Sequence, residues 1–365
     1  MPVRNRDIAM RFFPIFIPVA VVTIIVVYLF FSFNQRAARD IIEHDELHNI
    51  ERLKAVSSED LRSVIADLLI LSDHNKDLGS VSGDGGADAD ELVREYLSFS
   101  VRRGVYGQIC YIGKDGKELV RVNYEGGKAV SVPSSELQNK SSRYYFKDTI
   151  ALRRGGIFVS HIGLNVENGK IEEPKKPVMR LGTPVFDSKG DRLGIVLLNY
   201  LGGEFLGKLK RYHESDLSKL MVINREGYYL VADKSGDEWG FMYEEKADNT
   251  FQRSYPGVWR KILQEKDGQV YSKEGLFTFA TIYPVLDALG WKGAGGVKNR
   301  RYFLRIVSFI PARTLGMQMD ARGYIQGAGL VLFAFIVLSW YLARARARRF
   351  NAEDKLETHI REEHR

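Results

Sequence analysis

GVYGQICYIGKDGKELVRVNY (104–124), SSRYYFKDTIALRRGGIFVSHIGLNVENGK (141–170) and RLGTPVFDSKGDRLGIVLLNYL (180–201) are the three pieces of sequence that decide the fold. β-Branched and aromatic residues dominate the first and third pieces, and each is divided by a short polar break that ends in glycine. Such breaks between extended runs are typical of hairpin turns. The stretch therefore predicts antiparallel strands with one inserted helix, an α+β fold.

Particular elements follow from these pieces. The predicted strands are Tyr106–Ile112, Glu118–Tyr124, Ile157–His161, Val178–Asp187 and Leu193–Tyr200. A short helix is predicted over Arg143–Leu152, with Ser141 or Ser142 as its cap. Lys114-Asp115-Gly116 and Ser188-Lys189-Gly190 are the predicted turns.

The same order of elements recurs at shorter length downstream. Strands are predicted at Leu220–Asn224, Tyr228–Ala232, Gln269–Ser272, Leu276–Val285 and Phe303–Ile310. A helix is predicted over Pro256–Glu265, with proline at its start. Asp287–Arg301 is rich in glycine and lysine and is predicted as a surface loop. We therefore expect two modules, at residues 104–207 and 208–320.

Two apolar runs, Phe12–Phe33 and Tyr324–Ala343, each have about 20 residues, the length of a membrane-spanning helix. A signal peptide is the alternative for the first run, but the run is long and no small-residue cleavage site follows it. Arginines cluster before the first run and after the second. The positive-inside rule then places residues 1–11 and 344–365 in the cytoplasm and residues of about 34–323 outside the membrane.

The chain has a formal net charge of +7 and one cysteine. Much of the positive charge lies in the two arginine clusters beside the membrane, where it can contact anionic lipid. No nucleic-acid partner is therefore expected. Cys110 has no second cysteine with which to form an internal disulfide, and a buried apolar role is predicted for it.

Residues 34–103 are predicted to form a stalk and a connector. Apolar residues recur at helical spacing from Asn34 to about Leu78, which favours one long helix that packs on other elements. Gly79–Asp90 is predicted as a flexible break, and helical periodicity resumes over Glu91–Arg102. The pair His44 and His48 lacks a third ligand, and the aspartates of the break do not fit a calcium loop, so neither a metal nor a cofactor is expected.

Several of these motifs, in order, carry a resemblance. YGQICYIGKDGKELVRVNY, RYYFKDTIALRRGGIFVS, LNVENGKIEEPKKPVMRLGTPVFDSKG and GIVLLNYLG resemble the double-Cache, PAS-like extracytoplasmic sensor domains of bacterial transmembrane receptors, nearest to those of two-component sensor histidine kinases. The resemblance is close over about 100 residues and looser through EWGFMY, GLFTFATIYPV and IVSFIP. It implies a long stalk helix, a membrane-distal module that holds the ligand, a membrane-proximal module and a second span in the inner membrane.

A sensor cavity needs apolar walls and a few fixed polar groups. The predicted ligand-binding residues are Arg143, Tyr145, Asp148, Arg180, Asn199, Tyr111 and Arg121. An arginine such as Arg143 can hold a carboxylate or phosphate with two parallel hydrogen bonds. In Cache receptors for amino acids, an arginine, a Trp-Tyr pair and a later aspartate grip the ligand. Here Tyr145-Phe146 replaces the aromatic pair and Asn199 replaces the aspartate, so an anionic or neutral small molecule is favoured over an amino acid.

No nucleophile, metal or nucleotide motif of an enzyme occurs in the sequence, so the chain itself is not expected to be catalytic. The resemblance implies that the charged stub at 344–365 leads into a PAS, histidine kinase or GGDEF output, in a homodimer. Binding of a small molecule is then expected to shift the stalk and the second span. The alternative is a membrane-anchored periplasmic binding or scaffold protein without signalling output.

Overall fold

The computed structural model describes residues 5–75, 87–167, 169–293, 302–318 and 322–363. The chain divides into two units, one made of Met1–His44 with Arg313–Arg365 and the other of Asp45–Ala312. The helices are α1 (Asn5–His74), α2 (Ala87–Arg103), α3 (Tyr144–Ile150), α4 (Gly202–Tyr212), α5 (Phe251–Ser254), α6 (Pro256–Gln264), α7 (Pro284–Gly293), α8 (Ala312–Gln318) and α9 (Arg322–Glu363).

The first unit contains two helical segments long and apolar enough to cross a membrane, one in α1 from Phe12 onward and one in α9 within Gly323–Phe350. Their apolar side chains, such as Val22, Leu29 and Phe333, are exposed, as they are on helices that face lipid. Within this unit the Asn34 side-chain amide donates to the Tyr324 hydroxyl at 3.0 Å. The two predicted spans therefore correspond to helices of the right length and surface.

The second unit contains two main sheets, the antiparallel architecture that the sequence predicts. The strands are β1 (Tyr106–Gly113), β2 (Glu118–Glu125), β3 (Lys128–Ser131), β4 (Phe158–Val159), β5 (Gly163–Leu164), β6 (Val166–Glu167), β7 (Lys170–Ile171), β8 (Pro177–Phe186), β9 (Arg192–Leu201), β10 (Lys219–Ile223), β11 (Tyr229–Val231), β12 (Gly268–Tyr271), β13 (Gly275–Ile282) and β14 (Leu304–Pro311). A seven-stranded sheet has the order β3-β2-β1-β9-β8-β4, with β5 also on β8. A five-stranded sheet has the order β11-β10-β14-β13-β12, and β6 pairs with β7 alone.

The part of α1 after His44 packs on one face of both sheets. Leu53, Leu61 and Leu68 of this stalk lie in one apolar cluster with residues of the seven-stranded sheet and of the five-stranded sheet, such as Leu198 and Ile306. Burial of a leucine side chain contributes about 1.5–3 kcal/mol. The boundary predicted at 207/208 falls inside this unit and stays a prediction.

Three stalk carboxylates fix α1 to the sheets. Asp67 accepts hydrogen bonds from the Tyr106 hydroxyl and, at 2.6 Å, from the Arg103 guanidinium. Asp60 accepts from the Tyr200 hydroxyl and the Lys208 ammonium group.

Glu46 provides the corresponding anchor on the five-stranded sheet, where it accepts from the hydroxyls of Ser215 (3.0 Å) and Ser308. Buried carboxylates bound in this way resist separation of the stalk, because a lone buried charge costs several kcal/mol.

Several predicted boundaries are wrong. Helix α3 begins at Tyr144 with Arg143 as its N-cap residue, and neither Ser141 nor Ser142 caps it. Strand β13 ends at Ile282, and the predicted loop begins inside α7, because Pro284 suits the first turn of a helix and the Asp287 carboxylate accepts from the backbone N–H of Tyr283 at 2.8 Å.

Other outcomes concern the stalk, the connector and elements that were not predicted. The predicted stalk helix is confirmed to His74, and helix Glu91–Arg102 is confirmed within α2. The residues of the predicted break before Ala87 and residues 294–301 lie outside the described residues. Helices α4, α5 and α8 and strands β3, β5, β6 and β7 were not predicted.

Candidate functional site

A cavity of about 630 Å³ lies on the face of the seven-stranded sheet that is opposite to α1. We call it the first cavity. Residues from β1, β2, β8 and β9 line its floor, and residues of α3 and of the segment 138–143 line one side. Residues between Leu164 and Lys176 line the other side. Its volume falls in the range of small-molecule sites.

Close packing of α3 on the sheet shapes this cavity. A Cβ atom added to Gly182 on β8 would lie 2.7 Å from the Thr149 hydroxyl oxygen, so glycine permits the close approach of α3. Thr149 is fully buried, and its hydroxyl donates to the Tyr145 carbonyl at 2.6 Å. The packing of α3 on β8 therefore fixes the position of Tyr145 at the side of the cavity.

Four polar side chains form a row across the floor, one on each of four neighbouring strands. Gln108 of β1 stands opposite Asn123 of β2 and Asn199 of β9, and Asn199 stands opposite Arg180 of β8. The Gln108 amide donates to the Asn123 side-chain oxygen at 3.0 Å, and the Asn199 amide donates to the Gln108 side-chain oxygen at 3.0 Å. This floor row fixes its members through cross-strand pairing.

One acceptor of the floor row is left over. The side-chain oxygen of Asn199 is buried and has no hydrogen-bond partner. Such an atom costs free energy unless a donor from a ligand or water reaches it. Next to it, the Arg180 guanidinium donates to the Asn165 side-chain oxygen at 3.0 Å, and its Cζ lies 5.4 Å from the centroid of the Tyr145 ring. Arg180 is thus held in place over the floor by an amide and an aromatic ring.

A second cationic group lies one row along the strands. The buried Arg121 guanidinium donates to Glu118 at 2.8 Å, and the Lys140 ammonium nitrogen is 3.5 Å from the other oxygen of the same carboxylate. The Glu118 side chain is fully buried, so its charge needs both partners. The Nε atom of Arg121 is buried without a hydrogen-bond partner. A donor is therefore available in this row for an anionic group.

The first cavity has an excess of positive charge. Its lining residues include five cationic side chains, namely Arg121, Lys140, Arg143, Lys176 and Arg180, and two acidic ones, namely Glu125 and Glu172. The buried Glu118 carboxylate, which pairs with Arg121 and Lys140, brings the excess to two positive charges. Glu172 accepts from the Asn165 amide at 2.9 Å and lies 3.5 Å from the Lys176 ammonium nitrogen. Burial raises the pKa of Tyr145 to about 12, so its hydroxyl is neutral at physiological pH. The charge balance favours an anionic ligand over a cationic one.

Five of the seven predicted site residues line this cavity, namely Arg143, Tyr145, Arg180, Asn199 and Arg121. Tyr111 does not, because it points to the other face of the sheet and packs in the cluster that contains the stalk leucines. Asp148 lies on α3 but not in the lining. For the five residues that line the cavity, a role in ligand binding remains a prediction. Tyr111 and Asp148 are not part of the candidate site.

Sequence reasoning missed other lining residues, namely Gln108, Asn123, Lys140, Tyr144, Asn165, Glu172 and Lys176. Gln108 shares the face of Cys110 on β1, but the residue of β1 that was predicted for the cavity is Tyr111, which has the opposite parity. The residues from loops carry no periodic signal. Cys110 is buried, as predicted, and burial raises the pKa of its thiol. Within the described ranges, no cluster of histidine, cysteine or acidic residues could hold a metal ion.

Comparisons with known proteins agree with this architecture. The structure is similar to the extracellular domain of a putative histidine kinase, with 21% identity, a TM-score of 0.63, and coverage of 77% of this chain and 98% of that chain. It is also similar to a domain of a putative sensory box/GGDEF family protein from Vibrio parahaemolyticus (21% identity, TM-score 0.53, 73% and 99% coverage).

A third similar structure is the ligand-binding domain of the Campylobacter jejuni chemoreceptor Tlp3 in complex with L-valine (9% identity, TM-score 0.51, 78% and 98% coverage). At these identities, the likeness shows the fold. No curated protein sequence matches the chain.

The family assignment comes from the sequence. The model of the bacterial histidine kinase sensor domain matches residues 44–287, which is more than half of the chain. The matched region contains the stalk after Asp45, the seven-stranded sheet and the first cavity. The chain therefore belongs to the bacterial histidine kinase sensor-domain family.

Proposed function

We propose that the chain is the input region of a two-pass receptor in the bacterial inner membrane, and that its first cavity binds a small organic carboxylate. The observation that carries the proposal is the floor row with its unpaired Asn199 oxygen, beneath an excess of two positive charges once the buried Glu118 carboxylate is counted. A carboxylate would satisfy Arg180, Arg143 and the free Nε atom of Arg121. A hydroxyl group on the same ligand would donate to the Asn199 oxygen.

The route from the cavity to the stalk is short. Asn199 faces the cavity, and the next residue, Tyr200, faces α1 and donates to Asp60. Likewise, Gln108 is two residues from Tyr106, which donates to Asp67. A ligand that binds two arrangements of β1 and β9 with different affinity would therefore shift the stalk.

A second route leads to the five-stranded sheet. The backbone N–H of Ile162 donates to the Tyr302 hydroxyl at 3.1 Å, and the His161 ring stacks on the Tyr302 ring with centroids 4.6 Å apart. Leu164, two residues further on, lines the first cavity. If the segment 161–164 closed on a ligand, its movement would therefore be transmitted to the five-stranded sheet as well, through Tyr302.

The rest of the receptor follows the same proposal. The arginines before α1's apolar segment and after that of α9 would place both termini in the cytoplasm, with the second unit on the periplasmic side. The seven-stranded sheet would be the membrane-distal module and the five-stranded sheet the membrane-proximal one. Motion of α9 would pass to a cytoplasmic kinase, PAS or GGDEF output in a homodimer.

A ligand panel tests the proposal. The full chain in lipid nanodiscs is heated with mono-, di- and hydroxycarboxylates, with their neutral amides, and with amino acids. We expect carboxylates to raise the melting temperature, and hydroxycarboxylates to raise it more than their deoxy analogues do. A ligand at about 100 times its dissociation constant adds about 2.7 kcal/mol to the free energy of unfolding. Stabilisation by the neutral amides, or by amino acids alone, would contradict the proposed ligand class.

A further inference from the structure

A second pocket, of about 470 Å³, lies at one end of the five-stranded sheet. It is lined by Lys54, Arg225, Lys266, Thr281, Tyr283, Leu286, Asp287 and Phe303. Tyr283 directly follows β13, Phe303 directly precedes β14, and Lys54 belongs to the stalk. The pocket therefore brings together the sheet end, α7 and α1.

This pocket lies beside the aromatic face of the five-stranded sheet. The face of the five-stranded sheet under α5 and α6 is filled by aromatic side chains, including Phe251, Trp259, Phe277 and Phe309. The rings of Phe277 and Phe309 stack there with centroids 4.4 Å apart. Thr281 of β13 and Arg305 of β14 have the same parity as Phe277 and Phe309, so the second pocket lies at the end of this aromatic face.

Arg305 is the buried cation at this end of the sheet. Its residue is only 6% exposed, yet its Nε and Nη1 atoms have no hydrogen-bond partner. Arg305 lies behind the lining and is not part of it, but it stands opposite the lining residue Thr281, and its Cζ lies 5.3 Å from the ring centroid of the lining residue Phe303. The ring covers the face of the guanidinium, whereas the unpaired donors lie in its plane. Burial lowers the pKa of Arg305, which reflects the cost of an incompletely solvated charge.

The neighbouring carboxylates are already engaged. Asp267 accepts from the Lys54 ammonium group at 2.9 Å and from the Thr281 backbone N–H at 2.9 Å. Asp287 accepts from the Tyr283 backbone N–H at 2.8 Å. Lys54, Arg225, Lys266 and Arg305 therefore outnumber these two acids by two charges. A bound carboxylate would reduce this excess from two charges to one.

The walls are aromatic on one side. The rings of Tyr283 and Phe303 have centroids 5.8 Å apart and are tilted by 56°, an arrangement that accepts a third flat ring at an edge or a face. We propose that the second pocket binds a small aromatic carboxylate, with its ring against Tyr283 and Phe303 and its carboxylate toward Arg305. Because Lys54 belongs to α1, the occupant would hold the stalk against the five-stranded sheet. The site would thus be a second input, separate from the first cavity.

Fluorine NMR of 4-fluorobenzoate with the full chain in phosphatidylcholine nanodiscs tests the site. We expect saturable broadening of the ligand signal, none with the neutral analogue 4-fluorobenzamide, and at least about 30-fold weaker binding to Arg305→Met. Arg225 is exposed, so Arg225→Gln should fold normally and weaken binding several-fold. Arg180→Gln, in the first cavity, should leave the dissociation constant unchanged.

Other outcomes would overturn the inference. Absence of saturable binding to the wild-type chain would do so, as would equal binding to the wild-type, Arg305→Met and Arg225→Gln chains. If Arg180→Gln lost binding and the other two variants did not, the result would show that 4-fluorobenzoate binds in the first cavity. If Arg305→Met fails to fold, the exposed Arg225→Gln variant and the neutral amide decide the matter. The variants distinguish the two proposals, because Arg180→Gln acts on the first cavity and Arg225→Gln and Arg305→Met act on the second pocket.

Discussion

Arg180→Gln is expected to weaken carboxylate binding to the first cavity by about 30-fold or more. The guanidinium is held over the floor row by Asn165 and the Tyr145 ring, so it is ordered before a ligand arrives. Removal of one partner of a buried, hydrogen-bonded charge pair typically costs 2–5 kcal/mol, and 2 kcal/mol corresponds to about 30-fold. Glutamine keeps an amide donor but loses the charge and the bidentate geometry.

Calorimetric titration of the full chain in nanodiscs, with the best carboxylate of the panel, measures this effect. Arg153→Gln is the matched control, because Arg153 is exposed in the same module and outside the cavity lining. Its dissociation constant should equal that of the wild type. Equal affinity of Arg180→Gln and the wild type would show that the carboxylate binds elsewhere.

Gly194→Ala is expected to destabilise the chain by about 4 kcal/mol or more, the exceptional end of the range for single substitutions. A Cβ atom at this position would lie 2.2 Å from the Ile112 carbonyl oxygen and 3.1 Å from the Gly113 Cα atom. Both are backbone atoms of β1, so no side-chain rotation relieves the overlap. Strands β1 and β9 would have to separate at the pairing that also supports the cavity floor.

Thermal unfolding followed by circular dichroism measures the loss, which corresponds to roughly 10 °C in melting temperature for a unit of this size. Gly236→Ala is the control. Gly236 has no atom within 4 Å of an added Cβ and no positive φ, so alanine should fit there. A Gly194→Ala chain that melts within 2 °C of the Gly236→Ala chain, an interval of about 1 kcal/mol or less, would contradict the close approach.

The strands of the two sheets were predictable because their residues are β-branched or aromatic and their turns end in glycine. The register was not predictable in the same way. Tyr111 was grouped with Arg121, but β1 pairs Cys110 with Arg121 and Tyr111 with Val120. Both faces of β1 are apolar or aromatic, so the sequence pattern does not reveal which parity faces the cavity.

The stalk shows a similar division. Its apolar positions follow helical spacing, and Leu53, Leu61 and Leu68 are buried as that spacing predicts. The same spacing does not indicate that Glu46 and Asp67 are buried acceptors. A buried carboxylate such as that of Asp67, which accepts a hydrogen bond from Tyr106, differs from a solvated carboxylate only in its tertiary contacts. The local sequence pattern does not encode those contacts. Lys140, Asn165 and Lys176 reach the cavity from loops for the same reason.

Hydrogen–deuterium exchange of the full chain in nanodiscs, with and without a saturating carboxylate from the panel, tests the central claim most directly. The account predicts slower exchange in three places, namely the segment 138–149, the segment 164–176 and the stalk residues around Asp60 and Asp67. The first two line the cavity, and the third lies across the sheet from its floor. Unchanged exchange in the two lining segments, with protection confined to other parts of the chain, would contradict a ligand site in the first cavity.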